Sequence, residues 1–125
     1  MVVVLERHQG EAFVIKFREK DGSEQSVVVY LRKITPSKVH VCISEVPETE
    51  NVRVHRLEHF TGEEFKNYLN NVESVYHRYI NIKNMCEYNK LGGLTTTLGN
   101  YMTEDELLEL RYLTQGKSTT PGFSL

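Results

Sequence analysis

Residues 1–15, MVVVLERHQGEAFVI, set the reading of the whole chain. Val2, Val3, Val4 and Leu5 make one short apolar run, and Ala12-Phe13-Val14-Ile15 make another. Between them sit a basic couple, Arg7-His8, and Gly10-Glu11, with glycine where a turn most easily takes positive φ. Runs of β-branched residues separated by a glycine turn predict two strands, not a helix. MVVVL is too short for the core of a signal peptide and has no basic segment before it, so it too reads as a strand.

The β pattern continues outward. REKDGSEQ, residues 18–25, is a polar connection with Asp21-Gly22 inside it. Residues 26–34 form a long strand, and Thr35-Pro36-Ser37 turn the chain. Lys38-Val39-His40-Val41-Cys42-Ile43 alternates strictly, which puts Val39, Val41 and Ile43 on one face. Pro47 opens the polar loop PETEN, residues 47–51. Val52-Arg53-Val54-His55-Arg56 is a fifth strand that, like the first, ends in a basic couple. An edge as apolar as MVVVL invites pairing by another chain, and five short strands close a small core poorly, so a homodimer is expected.

The second half reads as α. Thr61 and Glu64 have the spacing of a capping box. Phe65, Tyr68, Leu69, Val72, Val75, Tyr76, Tyr79 and Ile80 then form a stripe at helical spacing that runs on toward Met85 and Cys86. One long helix of about 25 residues is expected, stopped by Leu91-Gly92-Gly93. LTTTLGN, residues 94–100, reads as a linker. Thr103-Glu104-Asp105-Glu106 is a second capping box, opening a short helix with Leu107, Leu108, Leu110 and Leu113. The tail KSTTPGFSL reads as disordered. The expected fold class is β+α: a five-strand core over 1–60, a helical extension over 61–115 and a flexible tail over 116–125.

Charge sets limits on the ligand. Residues 1–60 carry 9 Lys/Arg against 9 Asp/Glu, and residues 61–125 carry 6 against 8, so the net −2 lies in the second half. Nucleic-acid binding would have to come from a local patch, not a general cationic field. No stretch reaches the length of a membrane span. Cys42 and Cys86 stand far apart in no metal-ligand spacing, which fits a reduced cytoplasmic chain without metal or cofactor. No GxSxG, HExxH, phosphate loop or activated acid pair is present, so no catalytic residue is assigned. Glu11 and Glu58 read as turn or salt-bridge residues, and His59 and His77 as surface residues.

The order and spacing of LERHQGEAFVI, KVHVCISEVP and VRVHRLEHF resemble the carbon storage regulator A (CsrA/RsmA) family, small bacterial RNA-binding translational regulators. The likeness covers roughly residues 1–60. It implies an interleaved homodimer in which the first strand of one chain lies beside the last strand of the other. Each such edge would bind an RNA loop containing GGA and alter translation. On that mapping Arg56 holds the position of the family's key arginine, and Arg7 reaches in from the opposing chain. Leu5 and Val54 flank them, His8 and His55 sit adjacent, and Val46 and Pro47 border the bases. The chemistry suits the assignment: a strand edge presents N–H and C=O groups to exposed bases, and arginine presents a planar fork to guanine and phosphate.

The chain also departs from the family. Glu6 stands where a small polar residue is usual, His8 replaces an arginine, and His40 stands at a commonly basic position. PETEN adds two acids near the implied site, and the sixty-odd residues after residue 60 exceed the usual short helix and tail. These features favour a rival reading, a protein-interaction or assembly module on the same fold. In it, residues 61–125 carry the surface for a protein partner. An unrelated small β+α enzyme or accessory protein is the third reading.

Overall fold

In the computed structural model, which describes residues 2–35, 37–45 and 51–115, the protein has five strands in two antiparallel sheets and four α-helices. Strand β1 (Val2–His8) pairs with β4 (Lys38–Ser44), with Val2 opposite Ser44 and His8 opposite Lys38. The alternation read from residues 38–43 holds: Val39, Val41 and Ile43 are half-buried, and their neighbours in β4 are exposed. Strand β2 (Ala12–Arg18) is the centre of the second sheet, between β3 (Glu24–Tyr30) and β5 (Arg53–Arg56). The β2–β3 connection is tied by Asp21, whose carboxylate accepts hydrogen bonds from the Ser23 backbone N–H and hydroxyl. Such a side-chain bond two residues on is what favours aspartate in turns.

A single 3-10 turn, Leu57–His59, leads from β5 into α1 (Gly62–Leu69). Helices α2 (Val75–Tyr88), α3 (Leu94–Tyr101) and α4 (Glu104–Gln115) follow. The core lies between β2 and these helices. Ala12 and Val14 from the strand join Leu57, Phe65, Leu69, Val72, Ile82 and Met85 in one buried cluster. The apolar stripe of the helical half therefore buries against β2. At about 25 cal/mol per Å² of apolar surface, this burial is the main term holding the two halves together.

Asn81 locks the same junction. It is fully buried; its Oδ1 accepts from Ala12 N–H (3.0 Å) and its Nδ2 donates to the carbonyls of Gly10 (2.7 Å) and His77 (2.9 Å). Two of these three bonds join the β1–β2 turn and the start of β2 to α2, and the third stays within the helix. Gly10 permits the approach in two ways. Its φ of 86° favours glycine, and a Cβ there would lie 2.7 Å from His77 Cδ2.

Three expectations are corrected. The long helix is two helices, α1 and α2, broken over residues 70–74. Asn71 returns its Nδ2 to the carbonyl of Asn67 (3.2 Å), and Ser74 restarts the helix by accepting from His77 N–H (3.2 Å). Val72 stays buried inside the break, so the stripe continues across it. Residues 94–100 are not a linker but lie in α3, where buried Thr97 bonds its hydroxyl back to the Gly93 carbonyl (3.1 Å). His77 is not a surface residue; it is 8% exposed, with its ring packed from α2 against the Gly10 turn.

The two capping boxes differ. Thr103 and Glu106 bond each other's backbone N–H reciprocally, at 2.9 and 3.1 Å. Thr61 occupies the N-cap of α1 but makes no side-chain cap bond, and Glu64 instead reaches Lys16 (2.9 Å). The tail expected at 117–125 and most of PETEN lie outside the described residues.

Candidate nucleic-acid interface

The last strand of the chain sits at a sheet edge. Within β5, Arg56 lies opposite Phe13, His55 opposite Val14, Val54 opposite Ile15 and Arg53 opposite Lys16. Because β2 occupies one side of β5 and no described strand occupies the other, the outer N–H and C=O groups of β5 face no strand. Strand β1 is likewise paired on one side only. Its inward face carries Leu5 and Arg7, each 3% exposed, and its outward face carries Val2 and Val4, 65% and 60% exposed. Single exposed valines are ordinary, but two on the outward face of a strand with one open edge form an apolar patch beside that edge.

The charged groups around β5 are mostly neutralised. Arg53 pairs with Glu24 (3.0 Å), and Lys16 pairs with Glu64 (2.9 Å) while lying over the rings of Phe60 and Tyr68. His55 is half-buried with its ring edge-on to Phe60, 5.6 Å between centroids. Burial first, then the charges of Lys16 and Arg53, push its pKa below the ordinary imidazole value, so the ring is biased toward neutrality. Arg56 differs from these neighbours: it is half-buried, and among the described residues its guanidinium makes no hydrogen bond or ion pair. Val54 is half-buried in the same strand.

Arg7 has a different environment from the one the resemblance implies. Its Nη1 and Nη2 bond both oxygens of Glu58, at 3.1 and 2.8 Å. Nη1 also donates to the Ala12 carbonyl (2.9 Å), and Nε donates to that of Glu6 (2.9 Å). The two basic pieces of the sequence thus do meet within one chain, through Arg7 and the carboxylate two residues beyond Arg56. That meeting spends the arginine internally, and in the single chain the Arg7 fork has no free face to offer a ligand. Glu58 holds the salt-bridge role read for it.

Of the other singled-out residues, Leu5 is a core residue under β1. His8 is exposed; its backbone N–H donates to Glu11 (2.8 Å), and its ring lies 3.3 Å from the same oxygen. Val46 and Pro47 lie outside the described residues. Glu6 is on the exposed face of β1, 3.3 Å from His40 Nε2 and 3.4 Å from Lys38 Nζ. Hydrogen bonds from His40 and then Lys38 hold its carboxyl below the usual carboxylate range.

One contact beside β5 went unread in the sequence. His59, three residues after Arg56, stacks on the exposed Tyr88 ring of α2 at 4.3 Å between centroids. The only hint was an aromatic residue at the end of a helical stripe. Among the described residues, no cluster of His, Cys, Asp and Glu has the makings of a metal site, and no helix is long and apolar enough to cross a membrane. Comparison with models of known protein families, with curated proteins and with solved structures returned no match.

Proposed function

We propose that this chain is a CsrA-like translational regulator that binds GGA-type single-stranded RNA loops, as an interleaved homodimer and without catalysis. The observation that carries the reading is Arg56. It stands at the end of a strand whose outer edge is unpaired, and it has no partner where Arg53, Lys16 and Arg7 all have one. An open strand edge reads base edges with backbone groups, and a free guanidinium adds a bidentate donor for guanine. The exposed Val2–Val4 face of β1, also at an open edge, supports the second half of the reading, in which β1 of another copy lies beside β5.

The second reading, a protein-interaction or assembly module on the same fold, is favoured by one arrangement. Arg7, the other arginine implied for RNA, is buried against Glu58, and Glu6 adds an exposed carboxylate to the same strand. The separating experiment titrates the protein with a hairpin RNA bearing GGA in its loop, a loop-scrambled hairpin and the Arg56→Ala variant, all at one salt concentration. Binding below about micromolar that needs both GGA and Arg56 supports the regulator. Weak binding indifferent to both replaces it with the interaction module.

A further inference from the structure

Tyr88 is the last residue of α2, and the stripe that buries Ile82, Met85 and Cys86 leaves it outside the core, 56% exposed. One side of its ring is occupied. The His59 imidazole stacks there, 4.3 Å between centroids and 22° from parallel. A ring stacked on one side and still more than half exposed has its other face open to solvent.

The backbone around this ring is fixed from both elements that carry the stack. Leu57, fully buried, anchors the 3-10 turn that ends in His59. Asn89 Nδ2 donates to the Glu58 carbonyl of that turn (3.1 Å) and to the Met85 carbonyl of α2 (2.9 Å), so one amide joins the two. Helix α2 then closes with Lys90 N–H on the Glu87 carbonyl (3.2 Å) and Leu91 N–H on the Cys86 carbonyl (3.0 Å). These two bonds make a Schellman closure, in which Lys90, with φ of 55°, takes the left-handed place usually held by glycine. A planar surface held in this way loses little further freedom when a ligand lies on it.

Two observations specify the ligand. The first is that the stack is a flat surface without net charge. Glu87 and Lys90, both exposed, flank Tyr88 with opposite signs. Burial first, with the charges of Arg56 and Arg7 in the same direction and that of Glu58 opposing, biases the His59 imidazole toward neutrality. Such a surface suits another π-face better than an ion. The second is the unpaired Arg56, three residues before His59 and close enough to act on its charge. An open aromatic face and a free cation near the end of one strand are the two parts by which single-stranded nucleic acids are held, one for a base and one for the backbone or a base edge.

We propose, resting on the RNA reading above, that the open face of Tyr88 stacks one unpaired base next to the GGA element while Arg56 holds the element itself. The helical half, which lies beyond the carbon storage regulator resemblance, thereby lengthens the RNA site by one nucleotide. Every base has a π-face, so this nucleotide adds affinity more than sequence selectivity.

The test is a double-mutant cycle on the full chain, using GGA-loop hairpins in which each loop nucleotide flanking GGA is in turn made abasic. Wild type, Tyr88→Ala, Tyr88→Phe and Arg56→Ala are titrated at several salt concentrations. Tyr88→Ala is expected to weaken binding by between about fivefold and a hundredfold, and Tyr88→Phe to retain it. The salt dependence should be the same in Tyr88→Ala as in wild type, because no phosphate contact is removed. At one flanking position the abasic hairpin should lose as much as Tyr88→Ala does, and the two changes together should lose no more than either alone. Wild-type binding that needs GGA and Arg56 but is unchanged in Tyr88→Ala would overturn this inference and leave the RNA reading standing. Losses that add at every flanking position would also overturn it, since Tyr88 would then act without touching a flanking base. Absence of GGA-dependent binding in wild type would overturn both. The Tyr88 side chain is exposed, so Tyr88→Ala is expected to fold, and its urea midpoint shows whether it does.

Discussion

Arg7 and Glu58, 51 residues apart in the chain, face each other fork to fork, with Nη1 3.1 Å from one carboxylate oxygen and Nη2 2.8 Å from the other. The pair fastens β1 to the turn that follows β5. Removing one partner of such a buried pair leaves the other charged and unmatched, which costs about 3–5 kcal/mol. Arg7→Ala is expected to lose about that much in urea denaturation. Arg7→Lys, which keeps the charge but not the fork, is expected to lose less. Equal stability of Arg7→Ala and wild type would mean that the pair does not form in solution.

Asn81 is expected to be as sensitive as any apolar core residue. Asn81→Ala strands Ala12 N–H and the Gly10 carbonyl in a dry interior, and each buried group left unpaired costs about 1–3 kcal/mol. The denaturation midpoint should fall by an amount matching about 3 kcal/mol with little change in slope, because the surface exposed on unfolding is nearly unchanged. A loss under about 1 kcal/mol would show that water replaces the amide.

Two glycines of nearly equal φ separate backbone strain from steric fit. Gly10 and Gly22 have φ of 86° and 88°, but only Gly10 has a side chain in the way. Gly22→Ala is expected to cost about 1–2 kcal/mol, the left-handed penalty alone. Gly10→Ala should cost a further 1–3 kcal/mol or so, because His77 must move. Equal costs would mean that α2 yields freely at that point.

Stability should fall on acidification through the histidine range. His77, His55 and His59 all have folded-state pKa values lowered from 6.5, chiefly by burial. Above the unfolded value both states hold these rings neutral, and stability is full. As pH drops below it, the unfolded chain takes up protons first, so stability is lost toward the lower folded values. Denaturation at about pH 7.5 and about pH 5.5 checks this. His77→Gln is expected to flatten the slope, and a slope unchanged in that variant would remove His77 from the account.

The proposed dimer makes its own prediction. If β1 edges meet another copy, a lysine at Val4 places a charge in that contact and should shift the mass in solution from a dimer toward the 14.5 kDa monomer. The Leu5 side of the strand is untouched, so folding should persist. A wild-type protein that is already monomeric at high concentration would remove the interleaved arrangement.

The β half was legible where a pattern has a single interpretation. Alternation at Val39, Val41 and Ile43 fixes a face whatever lies beneath it, and the Thr103–Glu106 pair identifies a helix start by its spacing. The helical half was less legible because its punctuation is ambiguous. Asn70, Asn71 and Ser74 break a helix only when their side chains turn back to the backbone, as Asn71 and Ser74 do here. Thr95 to Thr97 look like a linker by propensity, and tertiary packing around Thr97 overrides it. The candidate site was hardest to read for the same reason. Arg7 and Arg56 have similar local sequences, and only a carboxylate 51 residues from Arg7 decides that one is buried and the other is not.

The shared core of β2 and the helices has a consequence for synthesis. Leu57 emerges from the ribosome before most of the side chains that cover it, and Leu110 is the last of that cluster among the described residues. At about 5–20 residues per second, those roughly fifty residues take about 2.5–10 seconds. Over that interval the nascent chain carries a sheet with an uncovered apolar face and two unpaired edges. The polar residues around the early strands, Glu6, Lys16, Arg18 and Glu24 among them, then act as guards against premature association between chains on neighbouring ribosomes.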